Sequence, residues 1–120
     1  MARILLADDD KATRELVKRA LEAEGHAVDV TQDGAEALEK LKAAPDAVDV
    51  LVSDVHMPGI DGIDLAGQAV AARPGLKVLF MSGFPEELER AKAVKAARIG
   101  VLTKPFTLEQ VRAAVRSLIG

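Results

Sequence analysis

The chain has no cysteine, tryptophan or tyrosine, and only three phenylalanines. Without cysteine there are no disulfides, thiolate metal ligands or cysteine nucleophiles. Without tryptophan or tyrosine there is little to stack on bases, and a formal charge of −3 offers no basic stripe for phosphates, so no nucleic-acid surface is expected. The lysines and arginines are interspersed with glutamates and read as a solvated face. Long apolar runs are also missing: none approaches a membrane span, and Met1-Ala2-Arg3 leads into a strand-like run without the apolar stretch of a signal peptide. A cytoplasmic protein is expected. What remains is an ordinary globular composition of 49% hydrophobic and 29% charged residues, and 120 residues are enough for one core but not two.

Five times the chain alternates a short apolar run with an amphipathic stretch. Residues 3–7 predict a strand, and Asp10 caps a helix over about 11–24 with Leu16, Val17, Ala20 and Leu21 on one face. Gly25 suits the end of that helix. Residues 27–30 predict a second strand, and Asp33 caps a helix to about Ala43 that buries Ala37, Leu38 and Leu41 before Pro45. A strand at about 49–53 precedes a helix marked by Leu65, Ala66, Ala69 and Val70, with Asp61 and Asp64 as turn and cap residues and Pro74-Gly75 as the stop. After a strand at 77–81, a fourth helix falls within Glu86 to Ala97, with a thin, alanine-rich face of Leu88, Ala91 and Val94. That face packs little apolar area and moves easily. The last strand, at about 99–103, leads into a helix opened by the box Thr107-Leu108-Glu109-Gln110, with Leu108, Val111, Val115 and Leu118 on its stripe. Strands joined by helices of this length require a parallel sheet covered on both faces, hence an α/β fold over 1–120 without linker or repeat.

The chemistry gathers where strands end. Val50-Leu51-Val52-Ser53 closes on Asp54, and Met57-Pro58-Gly59 turns the chain at once, so Asp54 should project from a strand's C-terminal tip. Ile4-Leu5-Leu6-Ala7 opens onto Asp8-Asp9-Asp10, Val78-Leu79-Phe80-Met81 onto Ser82-Gly83, and Val101-Leu102-Thr103 onto Lys104-Pro105. Open α/β sheets bind ligands at that edge. Each piece alone has a plainer meaning: a solvated turn for Asp8 to Asp10, a self-bonded turn for Ser82, an exposed lysine for Lys104. Asp10 is best assigned to capping. Converging carboxylates raise one another's pKa unless a cation neutralises them, and an oxygen-rich site with room for water suits Mg²⁺.

Taken in order, Asp8-Asp9, Asp54 within Asp54-Val55-His56-Met57-Pro58-Gly59-Ile60-Asp61-Gly62, Ser82-Gly83 and Lys104-Pro105-Phe106 make the chain resemble the receiver domain of bacterial two-component response regulators, across its whole length. The resemblance implies a flavodoxin-like, doubly wound five-stranded parallel sheet of order 2-1-3-4-5 with five helices. It also implies that Asp54 is the phosphoacceptor. Asp9, Asp54 and the main-chain carbonyl of His56 would bind Mg²⁺, with Asp8 acting through water. Lys104 and the Ser82 hydroxyl would each take a phosphoryl oxygen, Gly83 would leave room for entry, and the bond before Pro105 would be cis. Where many receivers carry Tyr or Phe three residues before the lysine, this chain has Val101, so a rotating aromatic cannot serve there. A shift of Ser82 would instead pass through Gly83, Phe84 and Pro85 into the fourth helix, with Phe80 in the core.

The expected partners are a histidine kinase or histidine phosphotransfer protein and an output protein bound by helix 4, strand 5 and helix 5, with the chain a monomer or a phosphorylation-dependent dimer. The weaker flavour of Ser82-Gly83-Phe84-Pro85 is similar to stand-alone regulators without an output domain. A phosphoryl shuttle and the receiver portion of a longer regulator or hybrid kinase stay open. More distant are a pseudo-receiver, against which the intact set of Asp9, Asp54, Ser82 and Lys104 argues, and an Mg²⁺-dependent hydrolase of the haloacid-dehalogenase kind: Asp8 and Asp10 have its Asp-x-Asp spacing after the first strand, but 120 residues leave no room for the cap domain such enzymes carry. The protein is otherwise expected to be no enzyme beyond its own phosphorylation and dephosphorylation. His26 is expected in a solvated turn, and neither histidine suits a phosphodonor or a zinc site.

Overall fold

Ile4-Leu5-Leu6-Ala7 and Val50-Leu51-Val52 are apolar on both alternating faces, and strands of that kind must be covered from both sides. The computed structural model, which describes residues 1–120, covers them with helices. In chain order the elements are β1 (Arg3–Ala7), α1 (Lys11–Ala23), β2 (Ala27–Thr31), α2 (Gly34–Ala43), a 3₁₀ turn (Pro45–Ala47), β3 (Val50–Asp54), α3 (Gly62–Ala72), β4 (Lys77–Ser82), α4 (Pro85–Ala91), β5 (Arg98–Thr103) and α5 (Leu108–Ile119). The sheet order is β2-β1-β3-β4-β5, parallel throughout, which is the flavodoxin-like arrangement expected.

Strand alternation divides the core in two. Leu5, Leu51, Val78 and Phe80 face one way, under Ala37, Leu41, Leu65, Ala69 and Leu88. Ile4, Leu6, Val50, Val52, Leu79 and Met81 face the other, under Val17, Leu21, Val111, Val115 and Leu118. Each valine, leucine, isoleucine, methionine or phenylalanine among them stabilises the fold by about 1.5–3 kcal/mol when removed from water, the alanines by less. The cluster under α2, α3 and α4 and the cluster under α1 and α5 therefore clamp the sheet from opposite faces.

Local signals set the helix starts. The Asp10 carboxylate accepts the Thr13 amide at 2.9 Å, Asp33 that of Glu36 at 2.8 Å and Asp61 that of Asp64 at 2.8 Å. Thr107 and Gln110 form the reciprocal capping box, at 2.7 and 3.1 Å. Gly25, just past α1, has φ +92°, which disfavours any residue with a Cβ.

Four expectations change. Leu16 is 51% exposed, because α1 turns Arg14, Val17, Ala20 and Leu21 inward instead. Asp54 is the last residue of β3 itself. Helix α4 is only seven residues and ends at Ala91; the chain then turns, and Val94 still packs against the core from outside the helix. His26 is half-buried rather than solvated, since its Nδ1 accepts the Ala2 amide at 3.0 Å, and burial, aided by the nearby N-terminal charge, holds its pKa below the usual value.

The site edge depends on how β3 hands over to α3. The Gly62 amide donates to the Val55 carbonyl at 2.8 Å, so α3 begins against the end of β3. A methyl group on Gly62 would overlap the Asp54 carbonyl oxygen and lie 2.9 Å from Ser53 Oγ, and backbone cannot yield as a flexible side chain can. We expect Gly62→Ala to lower stability by about 2–4 kcal/mol in urea unfolding, followed by far-UV circular dichroism because the chain has no tryptophan.

Candidate functional site

Parallel register brings the strand ends into one row. Ala7 pairs with Ser53, Asp54 with Met81, and Ser82 with Thr103. Asp8, Asp54, Ser82 and Lys104, distant in sequence, thus emerge at the same edge. One carboxylate oxygen from each of Asp8, Asp9 and Asp54 lies within 4.8 Å of the others. Asp8 is fully buried and Asp54 is 4% exposed, whereas Asp9 is open to solvent.

Asp8 is held by its own loop. Its Oδ1 accepts the Asp10 amide at 2.9 Å and its carbonyl accepts Arg14 Nη1 at 2.8 Å. Its Oδ2 is buried without a hydrogen-bond partner, a costly arrangement for an anion. Burial pushes the Asp8 pKa up to about 7; the Asp10 amide opposes this and the nearby Asp54 charge adds to it. Three close oxygens with one unpartnered, and no nitrogen or sulfur donor, fit a hard divalent cation. Arg14, 9% exposed, is a residue that sequence reasoning passed over. Its one signal was its position three residues before Val17, on the face that α1 buries.

Lys104 closes the site from the β5–α5 loop. Its Nζ lies 2.7 Å from Asp54 Oδ1, and its amide donates to the Ser82 carbonyl at 2.8 Å. The Lys104–Pro105 bond is cis, as expected. Burial raises the Asp54 pKa, with the Lys104 bond and charge opposing but not cancelling it. Burial equally disfavours the Lys104 charge, but the hydrogen bond and charge of Asp54, with Asp8 and Asp9, outweigh it and hold Lys104 above its usual pKa.

Ser82, 3% exposed, ends β4. Its hydroxyl donates to Glu87 Oε1 at 2.6 Å and accepts the Phe84 amide at 3.0 Å. Glu87, in the first turn of α4, was also missed; nothing in the sequence distinguishes it from its neighbour Glu86. Phe84 itself is 54% exposed. The His56 imidazole reaches α4, with Nδ1 3.9 Å from Glu87 Oε2. His26 sits beside Ala2 at the other end of the strands, so the two histidines share no site. At Gly83 a Cβ would meet only the Lys104 Cβ, at an ordinary 3.9 Å, so neighbours do not require glycine there. Asp10 is spent on capping, bonded to both the amide and hydroxyl of Thr13, which holds its pKa low. It is thereby removed from an Asp8/Asp10 hydrolase pair. The resulting cleft, of about 320 Å³, is lined by Asp9, Asp54, His56, Ser82, Glu87 and Lys104 among others, and has room for a phosphoryl group with a few waters. No helix is long and apolar enough to cross a membrane.

Comparison with known proteins agrees with this geometry. Residues 4–116 match the family model of the response regulator receiver domain. The response regulator MprA of Mycobacterium ulcerans is 38% identical over 117 residues, covering 98% of this chain and 50% of that protein. The chain thus spans about half the length of the curated relatives it matches. Among solved structures, the Vibrio cholerae chemotaxis protein CheY4 superposes with a TM-score of 0.86 at 31% identity, covering 98% of both chains. The Thermotoga maritima response regulator TrrA, crystallised with Mg²⁺ and beryllofluoride, gives 0.82 at 29% identity, covering 98% of this chain and 99% of that one.

The raised pKa of Asp8 has a consequence for stability. Unfolded, Asp8 ionises near pH 4; folded, it holds its proton to about pH 7, so the native state binds more protons in between and stability falls as pH rises through that window. We expect Asp8→Asn to flatten this slope and, at pH 8 without divalent cations, to raise stability by roughly 1–3 kcal/mol in urea titrations.

Proposed function

Because the chain belongs to the response regulator receiver domain family, we propose that residues 1–120 act as a phosphorylation-controlled receiver in which Asp54 accepts a phosphoryl group from a histidine kinase or histidine phosphotransfer protein. The observation that carries this is the buried Asp54 carboxylate at the tip of β3, with Lys104 Nζ at 2.7 Å and two more aspartates beside it. The environment suits a nucleophile of this type, since the surrounding groups need only position the donor and neutralise charge.

An Asp54 carboxylate oxygen attacks phosphorus as the bond to the donor breaks, and the donor leaves with that electron pair. Asp54 must be ionised to do so. Burial opposes this, and the Lys104 ammonium offsets it. Bound Mg²⁺ would supply the remaining neutralisation, held by Asp9, Asp54 and the main-chain carbonyl of His56, with Asp8 acting through water; the Mg²⁺ and beryllofluoride of the similar TrrA structure support this assignment. As the acyl phosphate forms, Lys104 exchanges its carboxylate partner for a phosphoryl oxygen. The Ser82 hydroxyl donates to another. The reaction is self-phosphorylation and its reversal by water, not turnover of an external substrate.

The output would be read on the surface of α4, β5 and α5, whether by a separate protein or by a longer polypeptide of the kind the curated relatives represent. Val101 is half-buried on β5 and packs against the core, so the signal passes to that surface without an aromatic rotor.

With Mg²⁺ and a small acyl phosphate, intact-mass measurement should find one phosphoryl group on the wild type and none on Asp54→Asn. Lys104→Ala should slow its appearance by roughly tenfold or more. An adduct that forms equally well without Mg²⁺, or that survives in Asp54→Asn, would overturn the assignment.

A further inference from the structure

A hydroxyl has one hydrogen to give. Ser82 gives its hydrogen to Glu87 Oε1 at 2.6 Å, a charge-assisted bond, while its oxygen takes the Phe84 amide. So engaged, Ser82 cannot also donate to a phosphoryl oxygen on Asp54. The Glu87 carboxylate lines the same cleft and has the same sign of charge as the arriving group. Its nearest basic partner is the His56 imidazole at 3.9 Å, 86% exposed on the His56 side and thus a weak counterweight.

Glu87 also belongs to an element with little else to hold it. Helix α4 has seven residues, no side-chain cap bond, and only Leu88 and Ala91 buried in the core. The Ser82–Glu87 bond therefore forms a large part of the attachment of its first turn to the sheet edge.

Building on the receiver function proposed above, we infer that Glu87 is a positioning residue for phosphoryl acceptance: it holds the Ser82 hydroxyl toward α4 while Asp54 is free and surrenders it when Asp54 is phosphorylated, releasing the first turn of α4. The exchange couples the chemistry to the helix directly, through side chains five residues apart, and needs no aromatic at position 101. Three features of the site work in the same direction. The hydroxyl has a single hydrogen, the two anions repel, and α4 is lightly anchored.

The test is a ¹⁹F NMR titration of beryllofluoride, with Mg²⁺ present, into the wild type, Glu87→Ala, Glu87→Gln, Ser82→Ala and the Ser82→Ala/Glu87→Ala double variant. Glu87→Ala should bind the analogue roughly three- to tenfold more tightly than wild type. Glu87→Gln, which keeps its shape and a weaker acceptor, should gain less but in the same direction, and covers the case in which the alanine variant fails to fold. In the Ser82→Ala background the gain should disappear. Amide exchange over residues 86–91 in free Glu87→Ala should approach that of analogue-bound wild type. Unchanged or weakened binding would overturn the role of Glu87, and an equal gain without Ser82 would reduce it to charge repulsion and overturn the latch. Failure of the wild type itself to bind beryllofluoride would instead strike the receiver function, and this inference with it.

Discussion

Everything at the C-terminal edge of the sheet depends on burying the Asp54 carboxylate beside Lys104. An anion that is 4% exposed is tolerable only with a cation against it, and Lys104 Nζ at 2.7 Å supplies one. The remaining negative charge is not balanced within the protein: Asp8 is more deeply buried, and one of its oxygens has no partner. The protein therefore keeps a site that is strained by its own charge. Such a site favours whatever brings positive charge, and the local cost of assembling it is met by two apolar clusters that clamp the sheet from opposite faces.

The parallel sheet makes this assembly possible. Because every strand runs the same way and the pairing is in register, each C-terminal end reaches the same edge, and the loops that follow need only a few residues to present their side chains. Helix caps then hold those loops in place. Asp10, Asp61 and Thr107 each close a helix start immediately after a strand or loop that carries a site residue. Arg14 adds a second tie by reaching back from α1 to the Asp8 carbonyl.

The same edge contains the least secured helix. α1 and α5 each bury three apolar residues along 12 or 13 positions, whereas the seven-residue α4 buries two and ties its first turn to Ser82 through Glu87. In the receiver function proposed above, low local stability beside the buried Asp54 carboxylate would let a small chemical event move a surface, since the two arrangements need differ by only a few kcal/mol.

Much of this was legible in the sequence. Strand and helix periodicity, the caps at Asp10, Asp33, Asp61 and Thr107, and the placing of Asp8, Asp9, Asp54, Ser82 and Lys104 at strand ends all follow from patterns a few residues long, because backbone geometry and capping are local. The sheet order came from resemblance, since periodicity says nothing about which strands are neighbours. Tertiary structure alone decided that Arg14 turns inward while Leu16 stays out, that His26 bonds Ala2, that α4 stops at Ala91, and that Ser82 gives its hydrogen to Glu87. It also decided that Asp8 and Asp54 hold their protons above the usual range. Each of these depends on distance and burial between segments remote in the chain, and those arise only once the chain has folded.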